Sequence, residues 1–94
     1  MKINNLIWLP KIVDKLAVKH QVEIEEVKEI FQNHPRVRYV EKGQQLGEDV
    51  YLASGQTDAG RYLTVLFIYK GQGEALILSA RDMANWERKR YGRK

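Results

Sequence analysis

A chain of 94 residues is one small domain, 1–94, because so short a sequence seldom supports two cores. Its 44% hydrophobic and 30% charged residues, seven Gly and two Pro exclude the disordered and collagen-like classes. The absence of cysteine removes disulfides, thiolate metal sites and cysteine nucleophiles, and the net charge of +4 directs attention to acidic partners.

The first predicted element is a helix after Pro10, where Ile12, Val13, Leu16 and Ala17 form one apolar stripe and Lys11, Lys15 and Lys19 line another face. A short connection at His20-Gln21-Val22 leads to a second helix carrying Ile24, Val27, Ile30 and Phe31, with an acidic first half and a stop at Pro35. Strand patterns follow over Arg36–Glu41 and Asp49–Ser54, joined by a loop over Gly43–Glu48. Gln56–Gly60 is a turn into a central strand, Arg61–Lys70, apolar on both faces. Gly71-Gln72-Gly73 is a hairpin loop into Glu74–Ser79. A last helix is predicted over Asp82–Tyr91, with Met83 and Trp86 facing inward. With room for a short N-terminal strand, the order gives an α+β protein: helices packed on a three- to four-stranded antiparallel sheet, then a C-terminal helix.

The longest apolar run, Tyr62–Tyr69, spans eight residues, against the roughly 20 a membrane helix needs. No signal-peptide pattern opens the chain, so a cytoplasmic protein with no membrane contact is expected. The charge is uneven. Residues 81–94 hold Arg81, Arg88, Lys89, Arg90, Arg93 and Lys94 against Asp82 and Glu87, while the preceding 80 residues balance ten basic groups with ten acidic ones. A basic end of this kind suits phosphates or an acidic protein, or else it is a solvated helix end.

The sequence holds no glycine-rich phosphate loop, no G-x-S-x-G elbow and no H-E-x-x-H, and its two histidines are His20 and His34, so no metal and no cofactor is expected. What remains is the set Arg, Lys, His, Tyr and Glu, which suits metal-free RNA cleavage: a base for the 2′-hydroxyl, an acid for the leaving oxygen, and guanidinium groups for the phosphorane charge. Arg61 and Arg81 open and follow strands and are placed to reach one sheet edge. Each residue also has a structural reading. His20 is either a helix C-terminal cap or an acid–base group. Arg81 is a phosphate ligand or the ion-pair partner of Glu87 or Glu74, Arg61 a phosphate ligand or a solvated strand end, and Glu87 a base sharing a helix face with Tyr91 or a partner of Arg90. Ser79 caps or bonds backbone more readily than it reacts. Trp8, Trp86 and Tyr62 are core residues or base-stacking surfaces.

Leu78-Ser79-Ala80-Arg81 followed by Glu87-Arg88-Lys89-Arg90-Tyr91 resembles the I-S-A-R … E-R-R-R-Y ending of BrnT-family toxins, the ribonuclease halves of bacterial type II toxin–antitoxin pairs. Trp8-Leu9-Pro10, Lys19-His20-Gln21-Val22, Glu25-Glu26, Phe31, Pro35 and Gly60-Arg61 fall at the spacing of that family's W-D-P, K-H-G-V, E-E, F, D-P and G-R. The resemblance implies a RelE-like fold, metal-independent RNA cleavage that stops translation, and a cognate DNA-binding antitoxin in a hetero-oligomer. It implies catalytic roles for Arg61, Arg81, His20, Glu87 and Tyr91, and RNA contacts for Arg88, Lys89, Arg90 and Ser79. Leu9 replaces the family's Asp, Ile12 its Lys, Leu16 its Asn, Gln21 its Gly and Glu23 its capping Ser. The alternative reading is a non-catalytic basic module that contacts RNA or an acidic protein.

Overall fold

The computed structural model describes residues 1–43 and 47–92. The predicted loop at Gly43–Glu48 falls partly, and the basic tail at 93–94 wholly, outside the described residues. The chain runs β1 (Asn5–Ile7), α1 (Pro10–Lys15), a π-helical turn (Leu16–His20), α2 (Ile24–Gln32), β2 (Arg36–Glu41), β3 (Val50–Gln56), β4 (Tyr62–Gly71), β5 (Glu74–Asp82) and α3 (Asn85–Gly92). The α+β class holds. The strands form one mixed sheet in the order β1-β5-β4-β3-β2, five rather than three or four, with β1 parallel to β5 and the other neighbours antiparallel. β1 is seated by the backbone N–H groups of Asn4 and Asn5, which donate to the carbonyl of Gly73 at 2.7 and 3.1 Å. Gly73 is required twice over, by its φ of +79° and by Asn4, whose side chain stands 2.6 Å from where a Cβ would lie.

One sheet face is covered by the first three helical segments. Leu16, Val22, Val27 and Ile30 meet Leu63, Val65, Phe67 and Ile77 there, all of them fully or almost fully buried. The stripe predicted for α2 accounts for its seating, and its start is fixed by a capping box in which Glu23 and Glu26 each bond the other's backbone N–H. The first predicted helix is not uniform: it widens after Lys15 into the π turn, because the Leu16 carbonyl accepts from the backbone N–H groups of Gln21 and Val22. Ile12 and Leu16 both turn toward the core, Leu16 at 2% exposure, so both positions serve packing.

Two boundaries near the C-terminus differ from the sequence reading. β5 continues through Ser79, Ala80, Arg81 and Asp82, since each has a partner on the longer β4, and Met83 still donates its N–H to the Tyr62 carbonyl. The last helix therefore starts at Asn85 rather than Asp82. Met83 is buried as expected, but Trp86 points outward and is 58% exposed. Among the described residues no helix is long and apolar enough to cross a membrane.

Gln21 ends the π turn at φ +49°, the left-handed conformation in which a Cβ is strained and glycine is not. Gln21→Gly is expected to stabilise the fold by about 0.5–1 kcal/mol, the relief being reduced by the greater freedom of the unfolded chain. In thermal unfolding this is a rise of about 3–6 °C, and an unchanged or lower Tm would contradict it.

Candidate functional site

Side chains alternate across a strand, so register alone assigns the candidates to faces. On the face opposite the core helices, Arg36, Ser54, Thr64 and Arg81 form one row across β2, β3, β4 and β5. Arg38, Leu52, Leu66 and Ser79 form the next. α3 lies over the end of these rows. It is tied down by Glu87, whose two carboxylate oxygens accept from the two terminal guanidinium nitrogens of Arg81, with Nη2 to Oε2 at 3.0 Å. The same carboxylate accepts the Ala84 N–H at 2.8 Å and so caps the helix it belongs to. Glu87 is only 7% exposed. The Arg81 hydrogen bonds hold its carboxyl below the usual range against the cost of burial, with smaller help from the Ala84 N–H and from Arg38. Arg81 in turn is held more firmly protonated by Glu87.

Between α3 and the β2–β3 edge lies a cleft of about 190 Å³ whose lining includes Arg36, Arg38, Ser54, Trp86, Glu87, Arg90 and Tyr91. Arg36 donates to the Arg90 carbonyl at 3.5 Å and sits 5.7 Å from the centre of the Tyr91 ring. Tyr91 packs edge-on against Tyr62 at 6.0 Å, and the Arg88 guanidinium covers the Tyr62 ring at 4.2 Å. Lys89 and Arg88 line a second hollow beside Tyr62. Thr64 is 2% exposed, and its Oγ1 is buried with no partner among the described residues, midway between Ser54 and Arg81 in its row.

Arg61 is on the other face. Its Nε and Nη2 donate to Asp82 at 2.7 and 3.2 Å, its Nη1 to the Gln21 carbonyl at 2.7 Å and to Glu26 at 3.1 Å, and its Nη2 also to the His20 carbonyl at 2.9 Å. Every guanidinium edge is thereby used, and the group joins β4, β5, the π turn and α2. Asp82 pairs in register with Leu63, on the core face, while its neighbour Arg81 pairs with Thr64 on the open one. The Arg61 hydrogen bonds lower the Asp82 pKa, with a further contribution from the charge of His20. The two arginines therefore stand on adjacent strands but opposite faces, and the backbone of His20 belongs with Arg61. Arg81, Ser79, Glu87, Arg90 and Tyr91 are gathered on the open side. Arg36 and Arg38 are the cleft residues the sequence reading missed; the signal for them was the R-x-R alternation on β2, which puts both on one face.

A family model described as ribonuclease toxin BrnT of type II toxin–antitoxin systems matches residues 8–87. The chain belongs to the BrnT family. The fold is similar to the crystal structure of the Brucella abortus ribonuclease toxin BrnT, with a TM-score of 0.64 and 17% identity over 86% of this chain and 97% of that one. No curated protein sequence matches this chain. Among the described residues of this BrnT-family chain, no three His, Asp or Glu side chains cluster as metal ligands do. Its departures at Ile12 and Leu16 lie on the helical side of the sheet, away from the arginine cleft.

Arg61→Ala strands two carboxylates and two helix-end carbonyls, and is expected to cost about 1–3 kcal/mol in urea unfolding. Arg61→Lys should recover little, because an ammonium cannot bridge partners in a fork. Arg38→Ala, on an exposed edge, should stay within about 0.5 kcal/mol of the parent, and equal losses at both positions would contradict the assignment.

The depressed carboxyls of Asp82 and Glu87 fix a sign for pH. Because the folded pKa lies below the unfolded one, their contribution is complete above the unfolded carboxylate pKa. It is lost as pH falls through the lowered native values. The parent should therefore lose stability in acid more steeply than an Asp82→Asn, Glu87→Gln variant, as read by urea midpoints at neutral and acid pH.

Proposed function

We propose that this chain is a working ribonuclease toxin that cleaves RNA without a metal, and that its site is the cleft between α3 and β2. The observation that carries this reading is the convergence of Arg36, Arg38 and Arg90 on the cleft that holds Glu87 and Tyr91, with Arg81 paired to Glu87, in a chain of a ribonuclease toxin family. Guanidinium forks bind phosphate oxygens in pairs and keep their charge at any physiological pH. In this mechanism the Glu87 carboxylate takes the proton of a ribose 2′-hydroxyl, and the oxygen attacks the adjacent phosphorus. The arginines carry the charge of the phosphorane. The bond to the 5′-oxygen then breaks, and that oxygen takes the Tyr91 hydroxyl proton, the phenolate being held by Arg36 across its ring. The products are a 2′,3′-cyclic phosphate and a 5′-hydroxyl end.

Arg61 and His20 act at a distance in this reading, by fixing where β4 and β5 end. RNA loss stops translation in the cytoplasm, and a DNA-binding antitoxin binds the toxin as a hetero-oligomer, covering the basic α3 end with acidic or apolar groups. One observation favours a second reading, a non-catalytic phosphate-binding module: Glu87 already engages both terminal nitrogens of Arg81. Such a module would bind RNA with a steep salt dependence and leave it intact.

The test is induced expression in a bacterial host of the parent, Arg81→Ala and the double variant Arg36→Ala, Arg38→Ala, scoring growth and RNA integrity, with cleavage by the purified proteins alongside. The double variant is the cleaner arm, because Arg81→Ala strands a buried carboxylate. The parent is expected to arrest growth and degrade RNA, and the double variant to lose about 10²-fold in cleavage rate. A parent that is folded and leaves RNA whole overturns the catalytic reading.

A further inference from the structure

α3, Asn85–Gly92, contains two large apolar side chains, Trp86 and Tyr91. A helix seated on a sheet ordinarily turns its apolar residues inward. Tyr91 does so, stacking edge-on with Tyr62, and Trp86 does not: it is 58% exposed at the mouth of the arginine cleft. It shares that mouth with Arg90, one helical turn further along the same side of α3, and faces Arg36 and Arg38 across the opening. A bare indole amid guanidinium groups offers a nucleic acid two complementary contacts, a flat π surface for a base and forked cations for the phosphates beside it.

We infer that Trp86 is a base-stacking platform that restricts the cleft to single-stranded RNA. The inference rests on the reading that this cleft takes RNA, and adds to it the class of strand and the residue that selects it. In an A-form duplex both faces of each base are occupied by its neighbours, and the bases are turned inward between the backbones. A strand that reaches Arg36, Arg38 and Arg90 with a base on Trp86 has to be unpaired at that nucleotide. Stacking is tolerant of base identity, since every base presents a π face, so the platform selects strandedness and confers little sequence preference.

The experiment measures binding of fluorescently labelled 2′-O-methyl oligonucleotides, which lack the attacking hydroxyl and remain intact, by fluorescence anisotropy with the full chain. A single strand, the same strand with one abasic position, and the duplex are compared for the parent, Trp86→Phe and Trp86→Ala. Because Trp86 is exposed, the variants should melt with the parent. Trp86→Ala is expected to weaken single-strand binding about 5- to 100-fold, with Trp86→Phe recovering most of it. The penalty should shrink on the abasic strand, and the duplex should bind the parent at least about tenfold more weakly than the single strand. Unchanged affinity in Trp86→Ala, or a duplex bound as tightly as the strand, overturns the platform. If that happens while the parent still binds and cleaves RNA, the cleft assignment stands without it. If no oligonucleotide binds the parent at all, both readings fall together.

Discussion

The fold depends on one guanidinium group. Arg61 stands at the entry to β4 and reaches the end of β5 through Asp82, the end of the π turn through the carbonyls of His20 and Gln21, and the start of α2 through Glu26. These are the places where a two-layer α+β protein is least determined, because the hydrophobic core specifies which faces meet but not where each element stops. A helix C-terminus has unsatisfied carbonyls and two carboxylates nearby would repel one another, and a forked cation resolves both at once. The wide π turn and the left-handed Gln21 are what that solution requires of the backbone, since they present two successive carbonyls to a single group.

With α1, the π turn and α2 fixed to one face, the other carries α3 and the arginine cleft, and strand alternation performs the division. Asp82 turns to Arg61 and Arg81 turns away, one residue apart. The same alternation puts Arg36 and Arg38 on the open side while Val37 packs against the core. The period of two alone separates Asp82, turned to Arg61, from Arg36, Arg38 and Arg81 on the open side.

That sorting explains what could be read from the sequence. The stripes of α1 and α2, the hairpin at Gly71-Gln72-Gly73 and the central strand were legible because each is carried by local periodicity or turn chemistry. The parallel pairing of β1 was not, since it rests on contacts between residues about 70 apart in the chain, made by a three-residue segment with no pattern of its own. Nor was the extension of β5 through Asp82, which depends on β4 being long enough to offer partners. Of the candidate cleft, Arg81, Glu87, Arg90 and Tyr91 belong to the motif the sequence singles out, and the structure places them on one side of the sheet. Arg36 and Arg38 were missed because an R-x-R on an edge strand has an ordinary solvated reading. Arg61 and Arg81 were grouped by chemical type, and only the register shows that they face apart.

The Arg81–Glu87 pair carries two demands that pull against each other. It is one of the contacts that hold α3 on the sheet, beside the Arg36 bond to the Arg90 carbonyl and the Tyr62–Tyr91 packing, and with α3 come Trp86, Arg90 and Tyr91. Yet the proposed function asks a phosphate at Arg81 to share a guanidinium already committed to a carboxylate. If Arg81 turned toward a phosphate, Glu87 would still have its second partner, the Ala84 N–H, which belongs to its own helix. The neighbouring cations, Arg36, Arg38 and Arg90, line the same cleft as Glu87 but form no salt bridge among the described residues, so under the proposed function they are the groups that take up a phosphate's charge. In the row of Ser54 and Arg81 the Thr64 hydroxyl is buried with no partner among the described residues, a polar group left unsatisfied within the sheet. Under the proposed function, the ion pair that helps seat α3 would have to be partly released as phosphate binds, which would tie the stability of α3 to the affinity of the cleft.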